Sequence, residues 1–387
     1  MERGSFQLMK SVNKSLVLNK IRTSEPISRA QIAKETKLTP PTVSSIVKEL
    51  LEDGLVRESE LGESSGGRKP KMLHINSDAF YVIGVDAGPE TVDCVLTDLT
   101  GKIVRRSSSY VLTKPLTNDK FLGILQEIIG AMIHSTDVVQ EKIIGIGIAM
   151  HGVVEVKTGT SLVAPNLDLK HIPIKATLEG VFDLTVKVEN DARAMALGES
   201  WFGGNSDVDS MVAVNFGSGV GAGVVIHGNL YHGAQDIAGE FGHMTIDLHG
   251  EKCECGNPGC LQTFVSGEAL AERFNKQVNQ NKVVNGEEIY KMAKTGDVSA
   301  VQFLQETGEI IGIGLTNLIH LVNPSRIVLG GGVMKSQEFI LPEVYKMIEQ
   351  RALTTEAKKT EVIVSRLGDD ATLLGAVSLL LVELFEH

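Results

Sequence analysis

Tyr81-Val-Ile-Gly-Val-Asp86-Ala-Gly88-Pro89-Glu90-Thr91-Val-Asp93-Cys-Val-Leu-Thr-Asp98 marks the point at which this 387-residue chain changes texture. A β-branched run, a Gly-Pro turn and a second β-rich run read as a hairpin. Outward from it, a helical pattern runs from about Asn118 to Ser135, and Ile143-Ile-Gly-Ile-Gly-Ile-Ala149 reads as a buried strand. A second series follows: strands at Met211–Asn215 and Gly221–Ile226, a helical stretch from Ser266 to Val322, then strands at Arg326–Gly330 and Glu361–Ser365. Strands alternating with helices, twice over, predict two α/β lobes with a cleft between them.

The segment before this body reads differently. Leu16, Val17, Leu18 and Ile21 form an apolar stripe on a first helix. Ser28 stands as an N-cap with Gln31 in the capping-box position for a helix from Arg29 to about Lys37, and Thr39-Pro40-Pro41-Thr42 opens a third helix ending near Asp53. Two short helices with a tight turn read as a helix-turn-helix. Val43, Ile46, Val47 and Leu50 share one face of the third helix, which leaves Thr42, Ser44, Ser45 and Lys48 outward for DNA contact. Gly54-Leu-Val-Arg-Glu and Lys71-Met-Leu-His-Ile alternate like the two strands of a wing. The loop between them, Ser64-Ser-Gly-Gly-Arg68-Lys69-Pro70, places Arg68 and Lys69 where a minor groove is read. The bland alternative is a trihelical module that binds no DNA.

Composition agrees with this division. The net charge is −11, yet residues 1–78 carry thirteen Lys/Arg against ten Asp/Glu and the remainder 24 against 38. That is the asymmetry of a DNA-reading head on an acidic body. Hydrophobic content of 42% and charged content of 22%, with no apolar run long enough to span a bilayer, predict a soluble protein with no membrane partner. Three of the four cysteines fall in one loop and only Cys94 stands apart, so no disulfide framework is expected and a cytoplasmic location fits.

That loop is Glu240-Phe-Gly-His243-(nine residues)-Cys253-Glu-Cys255-Gly-Asn-Pro-Gly-Cys260. Three thiolates and one imidazole complete a closed tetrahedral Zn²⁺ site, which reads as structural rather than catalytic. A metal on one ring nitrogen of His243 leaves the other to donate to a ligand beside Glu240. Three glycine turns follow strands, at Gly88, at Gly217 to Gly223 and at Gly330 to Gly332. Each offers backbone N–H groups to phosphate, or is simply a turn.

These motifs, with Pro165-Asn166, Glu189-Asn190-Asp191-Ala192 and Asn323-Pro-Ser-Arg-Ile-Val-Leu-Gly-Gly-Gly332, resemble in their order those of the ROK family of repressors and sugar kinases. The resemblance runs over about residues 8 to 385. It implies a two-lobed, actin-like (ribonuclease H-like) ATPase fold behind the N-terminal winged helix-turn-helix. The divisions expected are 1–78 for the head, 79–192 for a small lobe onto which a C-terminal helix 371–387 packs back, and 193–370 for a large lobe with the zinc loop and a dimer interface. The wing and the Gly-His-Met-Thr-Ile-Asp run look like those of the family's xylose repressors.

By the same resemblance the sugar site comprises Asn166, Asn190, Asp191, Glu240, His243 and Gln262. The family has glutamate at the last position, and Gln262 keeps one acceptor and adds a donor. Such groups suit adjacent hydroxyls that give and take hydrogen bonds. Asn190-Asp191 also reads as an ordinary helix N-cap, and the two roles are compatible.

In the family's kinases the first turn cradles ATP phosphates, and the Asp191 position is the general base. This chain departs at Pro89, which has no N–H, at Glu90, which puts a carboxylate in the phosphate position, and at Thr91. The expected function is a non-enzymatic, sugar-responsive repressor that binds operator DNA as a homodimer or homotetramer, with xylose or glucose as effector and zinc as cofactor. The alternative is a sugar kinase using Asp191 as base.

Overall fold

In a computed structural model, which describes residues 12–61, 70–135, 138–205, 207–278 and 283–385, two sheets of the body share one connectivity. The first runs Thr185–Asn190, Ile143–Met150, Tyr81–Ala87, Thr91–Asp98, Ile103–Arg106, with Tyr110–Val111 also paired to Thr91–Asp98. The second runs Asn229–Tyr231, Val220–Ile226, Ser210–Phe216, Arg326–Gly330, Glu361–Val364. With Tyr110–Val111 left aside, and each sheet read from the edge at Ile103–Arg106 or Asn229–Tyr231, the strands counted in chain order lie third, second, first, fourth, fifth. The first three pair antiparallel, and the fourth and fifth join parallel. This is the duplicated plan of the two-lobed actin-like fold. The carboxyl ends of its parallel strands face the crevice in which ligands of open α/β sheets bind.

Two helices lie between the sheets. Ala371–Phe385 packs on the first sheet and Asp191–Phe202 on the second, and the two pack against each other. Glycine makes this possible at the crossing. A Cβ on Gly375 would strike the Ala194 carbonyl, and one on Gly198 would lie 2.5 Å from the Ala371 carbonyl oxygen. Only backbones without side chains approach so closely. The C-terminal helix is described through Phe385; residues 386–387 lie outside the described residues.

The N-terminal head contains helices Val12–Ser24, Arg29–Thr36 and Pro40–Glu52, and a sheet ordered Ile27–Ser28, Lys71–Ile75, Val56–Leu61. Ser28 Oγ accepts from the Gln31 amide at 3.2 Å, but the Gln31 side chain donates to Glu35 at 3.0 Å, so the reciprocal capping box does not form. Thr39 caps the third helix, with Pro40 in its first turn. Val43, Ile46, Val47 and Leu50 are buried together. Val17, Leu18 and Ile21 join them, while Leu16, expected on the same stripe, is 43% exposed.

The head is not an appendage on a string. One continuous apolar cluster takes in Val17, Leu18 and Ile21 of its first helix, Val82 and Val95 of the first sheet, and Trp201, Leu380, Leu384 and Phe385 of the interlobe helices.

The helical stretch expected from Ser266 to Val322 holds three helices, Gly267–Val278, Gly286–Lys294 and Val298–Val322. Local caps divide it: Asn285 and Glu288 form a capping box, and Asp297 caps the last helix through the Ala300 amide at 2.9 Å. Among the described residues, no helix is long and apolar enough to cross a membrane.

Candidate functional site

A cleft of about 840 Å³ opens between the lobes at the carboxyl ends of the parallel strands. Asn166, Asn190, Asp191, Glu240, His243 and Gln262 all line it, together with Asp86, Glu90, His151, Glu254 and Glu268.

Local structure explains how the central pair is aimed. The strand Thr185–Asn190 ends where the helix Asp191–Phe202 begins, and Asn190, not Asp191, is the cap: its Oδ1 accepts from the Arg193 amide at 3.1 Å. Its Nδ2 donates to the Gly152 carbonyl at 2.9 Å and to Asp191 Oδ1 at 2.8 Å. Asp191 is the first helical residue, and Oδ1 also accepts from the Ala192 amide at 2.8 Å. The carboxylate is therefore held at the positive end of the helix dipole.

His151 is the residue that sequence reasoning missed. It follows the strand Ile143–Met150, with Nε2 2.9 Å from Asn166 Oδ1 and Nδ1 3.5 Å from Asp191 Oδ2. Its ring joins two cleft groups that are 25 positions apart in sequence. The only available signal was its place just after a strand, since a lone histidine has no spacing pattern.

Four titratable groups of the cleft depart from their ordinary values. Burial, then the Asp191 carboxylate, pushes the Asp86 carboxyl up to about 8, so it is neutral at pH 7. Burial pulls His151 down, but the Asp191 contact more than offsets this and its pKa is raised. Burial raises Glu240. Burial also raises Glu268, to which the nearby charges of Glu254, Glu90 and Glu272 add. Around Glu268 the carboxylates of Glu254, Glu90 and Glu272 thus repel further negative charge, while Lys170 and Lys252 also line the cleft.

His243, Cys253, Cys255 and Cys260 form one cluster, with ligand atoms all within 4.8 Å of one another. Cys255 and Cys260 Sγ are 3.6 Å apart, and Cys253 Sγ is 3.6 Å from His243 Nδ1. Tetrahedral bonds of about 2.3 Å to sulfur put ligand atoms about 3.8 Å apart, so the set fits a bound metal. Burial, then its two neighbouring thiols, pushes Cys260 up to about 12, and a cation in the cluster is what would favour its thiolate. The His243 Nε2 is left facing Glu240 Oε2 at 3.8 Å. Gln262 lines the cleft and also reaches the cluster, its Nε2 lying 3.3 Å from Cys253 Sγ.

The glycine turns differ from one another. The Gly88 N–H bonds the Thr91 carbonyl at 3.0 Å as an ordinary hairpin turn and is not open to a phosphate. Gly217 to Gly219 line the cleft. Gly330 to Gly332 do not; Gly331, at φ 88°, passes close against the Phe216 carbonyl.

On the head, Ser44, Ser45 and Lys48 are exposed and Thr42 is half-buried, its Oγ1 2.9 Å from Thr39 Oγ1. Arg68 and Lys69 lie outside the described residues.

A buried network behind the cleft also escaped the sequence reading, although the Glu189–Arg193 spacing of four on a helix start was there to be seen. Glu189, 1% exposed, accepts from Arg193 Nε at 2.6 Å and contacts His232 Nε2 at 2.7 Å. Burial raises its pKa, but these two partners outweigh that and hold it low. Arg193 Nη1 donates to the Asp236 carbonyl at 2.5 Å, and Asp236 Oδ2 accepts from the Val156 amide at 3.2 Å, tying the segment before Glu240 to the first lobe.

The ROK family's sequence model matches residues 82–383, and that of the MarR family matches residues 11–64. A protein of Caldicellulosiruptor bescii named xylose repressor is 33% identical over 98% of this chain and 97% of its own length. A crystal structure of a ROK family transcriptional regulator, described as a homolog of the E. coli MLC protein, superposes with a TM-score of 0.86 at 28% identity, covering 97% of this chain and 96% of its own. A ROK family glucokinase from Streptomyces griseus, in complex with glucose and AMPPNP, superposes with a TM-score of 0.69 at 30% identity, covering 77% of this chain and 98% of its own.

Proposed function

The chain belongs to the ROK family, and from that premise we propose that it is a sugar-responsive transcriptional repressor rather than a kinase. The head binds operator DNA through Thr42, Ser44, Ser45, Lys48, Arg68 and Lys69. A sugar in the cleft, held by Asn166, Asn190, Asp191, Glu240 and His243 with Gln262 at its edge, changes the affinity of the head for that DNA. Such a response requires the sugar to bind the two states of the protein with different affinities.

One observation carries the reading. Hydroxyl-matching side chains converge in a cleft whose first phosphate turn is closed on itself, with Gly88 bonded to Thr91 and Glu90 standing among other carboxylates. Xylose is the proposed effector, supported by the relatives that bear its name, and zinc the proposed metal, holding the loop that carries His243. The divisions at residues 78, 192 and 370, a homodimer or homotetramer and a cytoplasmic location complete the proposal.

The second reading is a sugar kinase with Asp191 as general base. The Gly217–Gly219 loop in the same cleft favours it. A thermal-shift panel of sugars with and without MgATP separates the two, since a ligand at about 100 times its dissociation constant adds about 2.7 kcal/mol of stability. A shift with xylose that ignores MgATP supports the sensor, and one that needs MgATP supports the kinase.

A further inference from the structure

Arg22, on the first helix of the head, sits with its guanidinium 3.9 Å from the centre of the Trp201 ring and 5.8 Å from that of Phe385. Trp201 and Phe385 themselves meet edge to face at 5.9 Å. Three elements therefore converge on one cation: the head helix Val12–Ser24, the C-terminal helix Ala371–Phe385 that rests on the first sheet, and the helix Asp191–Phe202 that rests on the second.

The helix Asp191–Phe202 has a different duty at each end. Its first residue is Asp191, in the cleft, and its cap is Asn190. Ten residues on, about 15 Å along the axis, comes Trp201. Between them Gly198 and Gly375 bring the backbones of the two interlobe helices into direct contact, with no side chain to cushion relative motion. A tilt about that contact moves both ends. Asp191 lies about 10 Å from it and Trp201 about 5 Å.

From this geometry we infer that the helix Asp191–Phe202 is a lever pivoted at Gly198 on Gly375, and that Arg22 on Trp201 is the contact through which ligand in the cleft moves the DNA-binding head. The inference rests on the sensor reading and adds its physical path. Closure of the lobes on a sugar pulls the Asn190–Asp191 end. Packed interiors do not deform continuously, so the tilt appears at the other end of the rigid helix as a displacement of Trp201 relative to Phe385. Arg22 touches both rings, and the head must follow one of them. Cation–π contact is directional enough to transmit this and weak enough to rearrange.

The chain has one tryptophan, so Trp201 reports on its own surroundings. The test uses the full-length protein, xylose, and a duplex that the protein itself selects from a random library. In the wild type, xylose lowers operator affinity by about 10- to 100-fold, and the emission of Trp201 changes along the same titration curve as calorimetric sugar binding. In Arg22→Met, operator affinity without sugar and xylose affinity each stay within about threefold of wild type, and the effect of xylose on operator affinity falls to about threefold or less. Arg22→Lys keeps a cation over the ring and retains most of the response.

If Arg22→Met responds to xylose as fully as the wild type, the lever is wrong while the sensor stands. If saturating xylose leaves wild-type Trp201 emission unmoved, the lever is wrong whatever the variants do. If xylose binds wild type and changes no operator affinity, the sensor reading fails and the lever with it.

Discussion

The Nε2 of His243 lies 3.8 Å from Glu240 Oε2, while the other ring nitrogen of the same imidazole faces Cys253 Sγ at 3.6 Å. One ring thus joins the cysteine cluster to the cleft. A metal on Nδ1 fixes the ring and leaves the Nε2 proton to a ligand hydroxyl or to Glu240.

One zinc per chain is therefore expected in the purified protein, measured by elemental analysis. Cys260→Ser, at a fully buried position, should lose the metal. Its affinity for xylose should fall by about tenfold or more, because the loop that orients His243 loses its anchor. Metal-free protein that binds xylose normally would contradict this role.

Asp191→Asn keeps the shape of the side chain and removes its charge. A hydrogen bond to a charged acceptor contributes about 1.5–3 kcal/mol, so xylose affinity should fall by about ten- to a hundredfold. Operator affinity in the absence of sugar should change little, since Asp191 faces the cleft and not the head. Calorimetry and operator titration on one preparation check both halves.

Asp86 predicts a pH dependence. Burial and Asp191 raise its pKa to about 8 in the folded chain, whereas an unfolded aspartate titrates near 4. The folded state therefore holds the proton more tightly. Its contribution to stability is complete below about pH 4, declines as pH rises, at up to about 1.4 kcal/mol per unit, and is lost above about pH 8. Asp86→Asn has no such proton. Its melting temperature should gain on that of the wild type by several degrees between pH 5 and 9. Parallel curves over that range would show that Asp86 is already ionised.

Lys48 is exposed on the third helix of the head, paired only loosely with Glu52 at 3.7 Å. Lys48→Ala should weaken DNA binding with little change in sequence preference and reduce the salt slope by about one. Arg68→Ala should lower the preference for A·T-rich flanks if the wing enters a minor groove. Binding titrations across salt concentration, on A·T-rich and G·C-rich duplexes, distinguish the two roles.

Features with a period or a fixed spacing were legible in the chain itself. Val43, Ile46, Val47 and Leu50 follow helical spacing and are buried together. The Cys253-x-Cys255 and Cys260 spacing led to a real cluster. What depends on tertiary placement was not legible. His151 matters because Asn166 and Asp191 converge on it, and neither is near it in sequence. Gln262 makes a contact with Cys253 besides lining the cleft, and that contact is set by where the loop folds back. The division of the Ser266–Val322 stretch into three helices follows from the caps at Asn285, Glu288 and Asp297.

The most direct test of the account puts sensor and kinase in one tube. Wild-type protein, its selected operator duplex and MgATP are titrated with xylose while operator occupancy and phosphorylated sugar are followed together. The account predicts that xylose lowers operator affinity by about tenfold or more, with or without MgATP, and that no sugar phosphate forms above background. Turnover of ATP into sugar phosphate, with operator affinity untouched by xylose, would contradict it.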